Sequence, residues 1–119
     1  MEIANNDSAG LAEAIRQANA SPGDDTIRLA RNGLYVLATP ALPGLLLPPL
    51  EGGVTIEGNH AEIRGYSSKP AALMEVANQA RVQITNVVLA EGTDGTLRNY
   101  GALRLDNVAI VDSSVSSAP

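Results

Sequence analysis

The chain has 119 residues, 45% of them hydrophobic, with three Tyr, no Phe, no Trp and no Cys. This length fits one domain, whose core has to be filled by Val, Ile, Leu and Ala. The net charge of −5 argues against a binder that works by neutralising nucleic-acid phosphates, and the absence of cysteine excludes disulfides, thiolate metal sites and a cysteine nucleophile.

No apolar run approaches the ~18 residues of a membrane span. The opening Met1-Glu2-Ile3-Ala4-Asn5-Asn6 lacks the basic and apolar regions of a secretory signal. Asp7 or Ser8 then offers an N-cap, and Leu11, Ala14, Ile15 and Ala18 recur at helical spacing until Ser21-Pro22-Gly23 stops them. The expectation is an amphipathic helix over residues 7–21, with Glu13, Arg16 and Gln17 on its polar side. Asp24-Asp25 follow. Adjacent carboxylates are weak Ca²⁺ candidates, although two in a row on an extended chain point to opposite sides, and a solvated helix-to-strand turn explains them as well.

From Thr26 to Val111 the chain alternates short apolar-polar-apolar segments with bends rich in Gly or Asn. Period-two alternation over so few residues predicts β-strands with one face inside, and the bend residues tolerate a left-handed backbone. The segments also repeat. A shift of 21 residues places Val82 on Leu103, Ile84 on Leu105, Asn86 on Asn107, Val87 on Val108 and Leu89 on Ile110. Further back, shifts of 20 and 21 place Val54 and Ile56 on Met74 and Val76, and Ala61 and Ile63 on Val82 and Ile84. A shift of 27 places Ile27, Leu29, Leu34 and Val36 on Val54, Ile56, Ala61 and Ile63. Units of this size cannot bury their apolar face alone and predict stacked layers. Residues 38–53 interrupt the pattern with Pro40, Pro43, Pro48 and Pro49 around Leu45-Leu46-Leu47. Prolines argue against a central strand, so the stretch is expected to bulge from the first layer with its leucines folded back. The competing use of those leucines is an exposed patch for a partner.

Leu11-Ala12-Glu13-Ala14-Ile15, the run Pro22-Gly23-Asp24-Asp25-Thr26-Ile27 and the segment Asn99-Tyr100-Gly101-Ala102-Leu103-Arg104-Leu105-Asp106-Asn107 together resemble the N-terminal part of right-handed parallel β-helix repeat proteins. Their opening helix carries a Leu-Arg-Glu-Ala-Ile-type motif; here Ala12 stands at its second position. The resemblance implies a right-handed parallel β-helix, an all-β solenoid of about four short coils, capped by the N-terminal helix. The right hand also follows from the usual hand of parallel crossovers. The expected organisation is one domain, with the cap at 7–21, the coils at 26–111 and a tail at 112–119.

Outward residues of such a stack form columns, and the shifts above line up Tyr35, Glu62, Gln83 and Arg104; Leu37, Arg64, Thr85 and Asp106; and Arg28, Thr55, Glu75 and Thr96. Enzymes on this fold gather several acids and a base on one face. Glu62 and Asp106 are the weak catalytic candidates here, two layers and one column apart, at ~10 Å near the limit for an inverting pair. His60 is the single histidine, far short of a zinc site, and Asp94 in Glu91-Gly92-Thr93-Asp94-Gly95 is a further weak Ca²⁺ candidate. Asn86 with Asn107, and Asn78 with Asn99, are expected to stack as structural ladders. Leu97, Leu103, Leu105, Val108 and Ile110 would form the open face of the last layer, and an open strand edge invites pairing with another chain. The expectation is therefore a non-catalytic structural or binding module, adhesin-like and a carbohydrate-binding candidate, of a secreted or cell-surface protein. It would need no cofactor and would associate through its last coil with a second copy or with further coils. The alternative is a fragment of a polysaccharide lyase or glycoside hydrolase.

Overall fold

The computed structural model describes residues 1–21, 23–66, 71–90 and 96–111. The elements are β1 (Glu2–Ile3), α1 (Ser8–Ala20), β2 (Asp24–Leu29), β3 (Leu34–Leu37), β4 (Gly53–Gly65), β5 (Met74–Val76), β6 (Arg81–Ala90), β7 (Leu97–Asn99) and β8 (Ala102–Val111). The structure is thus mostly β, with one helix among the described residues.

The helix forms where its spacing requires. Asp7 is the N-cap and its carboxylate accepts from the Gly10 N–H at 2.9 Å. Leu11, Ala14, Ile15 and Ala18 are buried, one stripe of a 3.6-residue period. The helix ends at Ser21, which is extended and donates its backbone N–H to the Ala18 carbonyl. Two side chains tie α1 to the strands. Ser8 Oγ donates to the Val36 carbonyl at 2.7 Å, and Asn19 donates to the Pro49 carbonyl at 2.8 Å while accepting from the Glu51 N–H at 2.9 Å.

All named strands pair in parallel. The larger sheet runs β1-β2-β4-β6-β8, with β3 also pairing β4, and the smaller pairs β5 with β7. Alternation decides which side chains go inside. β4 buries Val54, Ile56, Ala61 and Ile63, and β6 buries Val82, Ile84, Val87 and Leu89, all in one cluster with Leu11 and Ile15 of the helix. Each large aliphatic side chain so buried stabilises the fold by ~1.5–3 kcal/mol relative to exposure.

The pairing register follows the sequence repeat in one place and departs from it in others. β6 pairs β8 at the shift of 21, with Val82 on Leu103, Ile84 on Leu105, Val87 on Val108 and Leu89 on Ile110. β4 pairs β6 with Val54 on Val82, Ile56 on Ile84 and Ile63 on Leu89, so the expected alignment of Val54 with Met74 and Ile63 with Ile84 is not the physical one. β5 instead pairs β7, and the Leu50 and Ala72 bridges place it beside the proline-rich stretch. The leucines of that stretch fold back as expected, and its backbone is paired as well. Leu46, Leu47 and Leu50 donate backbone N–H groups to Ala72, Leu73 and Glu75, and Leu45, Leu46, Leu47 and Leu50 are all buried. Proline is tolerated there because the segment forms an edge, where a missing N–H breaks no second ladder.

Strand β3 turns over relative to the expectation. Tyr35 pairs Ile63 and is buried, whereas Leu34 is exposed. The phenol explains the choice: Tyr35 Oη accepts from the Ala30 N–H at 2.8 Å and donates to the Ile3 carbonyl at 2.7 Å, so its polar tip is satisfied inside. β1, which the alternation did not predict, adds Glu2 and Ile3 to β2.

Candidate functional site

The strands bend at asparagines. Asn32, Asn59, Asn86 and Asn107 all have φ between 53° and 58°, and neighbouring His60 has 63°, a left-handed backbone that Asn adopts more readily than most residues. Asn107 Nδ2 donates to Asn86 Oδ1 at 2.7 Å, and the Asn32 N–H donates to the Asn59 carbonyl at 3.1 Å. Gly58 lies in the β4 bend against β6, and a methyl group there would collide with the Thr85 and Asn86 carbonyls and the Val87 side chain. Asn32 and Asn59 escaped the sequence reading, although they stand 27 residues apart, as do Asn59 and Asn86. Asn78 and Asn99 are not brought together: Asn99 pairs Val76, and its carboxamide accepts from the Gly101 N–H at 3.0 Å.

The residues N-terminal to these bends present polar columns. One contains Glu2, Arg28, Glu57, Thr85 and Asp106; a second contains Thr26, Thr55, Gln83 and Arg104; a third contains Asp24, Gly53, Arg81 and Ala102. The expected columns that joined Tyr35 to Glu62 and Thr55 to Glu75 are therefore replaced. Arg28 bridges two acids, with Nε 2.8 Å from Glu57 and Nη1 3.5 Å from Glu2. The hydrogen bond to Glu57 and its charge raise the Arg28 guanidinium above its ordinary range, with Glu2 adding weakly and desolvation opposing. Arg81 Nη2 holds Asp24 at 3.0 Å with both side chains largely exposed. Asp24, Thr55, Arg81, Gln83 and Arg104 line a shallow lateral groove of about 320 Å³.

The weak catalytic candidates do not meet. Glu62 follows the bend in β4 and is gripped by Arg64 at 2.6 Å, whereas Asp106 precedes the bend at Asn107 and pairs Thr85. Strand segments on opposite sides of a bend direct their outward residues along different faces. His60 is exposed in the β4 bend. Of the Ca²⁺ candidates, Asp24 is occupied by Arg81 and Asp25 aligns with Val54 on the inward column; Asp94 lies outside the described residues. No group of three or more potential ligands occurs among the described residues.

Of the residues expected at the open face, Leu103, Leu105, Val108 and Ile110 share β8, whereas Leu97 belongs to β7 of the smaller sheet. β8 has a ladder partner on one side only among the described residues, and Leu103, Leu105, Val108 and Ile110 lie in register over the buried Val82, Ile84, Val87 and Leu89. Leu105 and Ile110 remain 41% and 47% exposed; Leu103, Val108 and Leu97 of β7 are half-buried. No helix among the described residues is long and apolar enough to cross a membrane. No family model, curated protein or solved structure matches the chain.

Proposed function

We propose that the parallel ladders are the faces of a right-handed parallel β-helix of about four short coils, capped at one end by α1, and that the chain is a non-catalytic structural or binding module. It self-associates through the β8 edge and belongs with the modules of secreted and cell-surface β-helix proteins. The observation that carries this reading is β8 itself, a ten-residue strand with one edge unpaired among the described residues and apolar residues in register with the core. An uncovered edge of this length is a template for another strand. The lateral columns of Thr, Gln and Arg offer the hydrogen-bonding groups a carbohydrate would use, and the separation of Glu62 from Asp106 speaks against glycoside cleavage by that pair.

Replacing Leu105 or Ile110 with Lys tests the reading. Association measured by sedimentation is expected to disappear while circular dichroism stays native. Association unchanged by either lysine contradicts it. Incubation with acidic and neutral polysaccharides, with and without Ca²⁺, tests the non-catalytic part: turnover abolished by Glu62→Gln or Asp106→Asn would overturn it.

A further inference from the structure

We infer that the occupant of the β8 edge is a second copy of this chain, related by a two-fold axis through the bend, with Ala102–Asp106 of each copy antiparallel to Val108–Val111 of the other. The inference rests on the association reading above and specifies its partner and geometry.

Two arrangements bring an edge strand onto a second copy. Head-to-tail stacking would place β8 on the opposite edge of the same sheet, which is β1. That side of the sheet offers Glu2 and Ile3 of β1 and the four residues of β3, whose Leu34 N–H and Val36 carbonyl are already taken by Asn5 and Ser8, and α1 packs directly against β1, β2, β3 and β4. A ten-residue strand finds no ten-residue partner there. A two-fold arrangement uses β8 on both sides, the isologous contact of cyclic dimers, and it closes where head-to-tail contacts propagate.

The bend fixes the axis. β8 turns a corner at Asn107, whose φ is 58°, so two copies stay in contact along both arms only if corner lies over corner. Turning one copy over exchanges the arms and makes them antiparallel. Side-chain alternation then selects the register. Leu103 faces Ile110 of the second copy and Leu105 faces its Val108, which sets inward residues on inward residues. Both pairs belong to one register, and that register is its own reverse, as a two-fold axis demands. A slip of one residue would set Leu105 on Ala109 and lose every inward pair. The two charges of the strand are also accommodated: Arg104 faces Ala109 and Asp106 faces Asn107, so neither lies directly opposite a like charge. An axis through Arg104 would oppose the two arginines and place the bends on different sides.

The absence of native cysteine allows a direct test. Residues directly opposite in an antiparallel pair bring their Cβ atoms within about 4.5–5.5 Å, close to disulfide reach. The double variant Arg104→Cys with Ala109→Cys is oxidised and run on a non-reducing gel beside its reduced form, whose circular dichroism reports folding. A covalent dimer is expected. An equimolar mixture of the two single variants is expected to give the same cross-link, and each alone to remain monomeric on the gel. In the column shared by Glu2 and Asp106, the pair Glu2→Cys with Asp106→Cys reports head-to-tail stacking. A dimeric mass by light scattering with cross-linking only through positions 2 and 106, or with no cross-link through 104 and 109, overturns the two-fold geometry and leaves association standing. A monomeric mass at every concentration removes association itself. Because each copy contributes Leu105 once, Leu105→Lys is expected to weaken the dimer by roughly a hundredfold, about tenfold per copy; an unchanged dissociation constant contradicts the contact.

Discussion

Leu11 and Ile15 on α1, and Leu105 and Ile110 on β8, are similar side chains in equally regular patterns. The first two are fully buried, whereas the second two are 41% and 47% exposed. What differs is the neighbour. The helix stripe lies against four strands, while β8 lies on β6 and has no second ladder partner among the described residues. Apolar periodicity therefore reports which side chains seek a neighbour, and the topology reports which of them found one. The same pattern makes a core in one place and a partly exposed apolar strand in the other.

Truncating matched residues would break or sharpen that contrast. Ile84 is buried between β4 and β8 positions, and Ile84→Ala is expected to destabilise the fold by ~2–5 kcal/mol in urea denaturation. Ile110→Ala under dilute conditions should cost much less, below ~1.5 kcal/mol, because so much of the side chain is already in water. Equal losses would mean that β8 is covered. Tyr35→Phe comes next: it leaves the Ala30 N–H and the Ile3 carbonyl without their hydroxyl partner, at ~1–3 kcal/mol by thermal or urea unfolding. Asn107→Ala removes a left-handed residue and its bond to Asn86 at the exposed edge, and about 1 kcal/mol is expected, with the loss confined to β8 in an amide-resolved experiment. The smallest effect belongs to Asp24→Asn, which breaks an exposed pair with Arg81. A change of ~0–1 kcal/mol that fades at high salt is expected in a denaturant series.

How much of this was legible depends on how evenly the chain returns. Between β6 and β8 the return is 21 residues with no insertion, and the whole register, including the Asn86 to Asn107 bond, could be read from spacing alone. Between β2 and β4 the partner of Ile27 is Ile56, and between β4 and β6 the partner of Val54 is Val82. The first of those longer returns includes the segment around Leu45 to Leu50, whose prolines concealed its backbone pairing with residues 72–76, and the second includes β5 itself. With that segment missed, Met74 to Val76 was matched to the wrong neighbour. Tyr35 was misplaced for a different reason. Leu34-Tyr35-Val36 reads as apolar at either end, and only the two buried partners of the hydroxyl decide that the middle residue goes inside. The polar columns were scrambled by the same register errors. The placing of Leu103, Leu105, Val108 and Ile110 on one strand in register with the core was legible because β8 lies within the evenly spaced part of the chain.

Hydrogen exchange at two protein concentrations tests the central contrast most directly, because it reads α1 and β8 in one sample. Amides of residues 102–111 are expected to gain protection as concentration rises, while those of α1 and of β4 hold constant. Protection in 102–111 that is already maximal in dilute solution and independent of concentration would contradict the account.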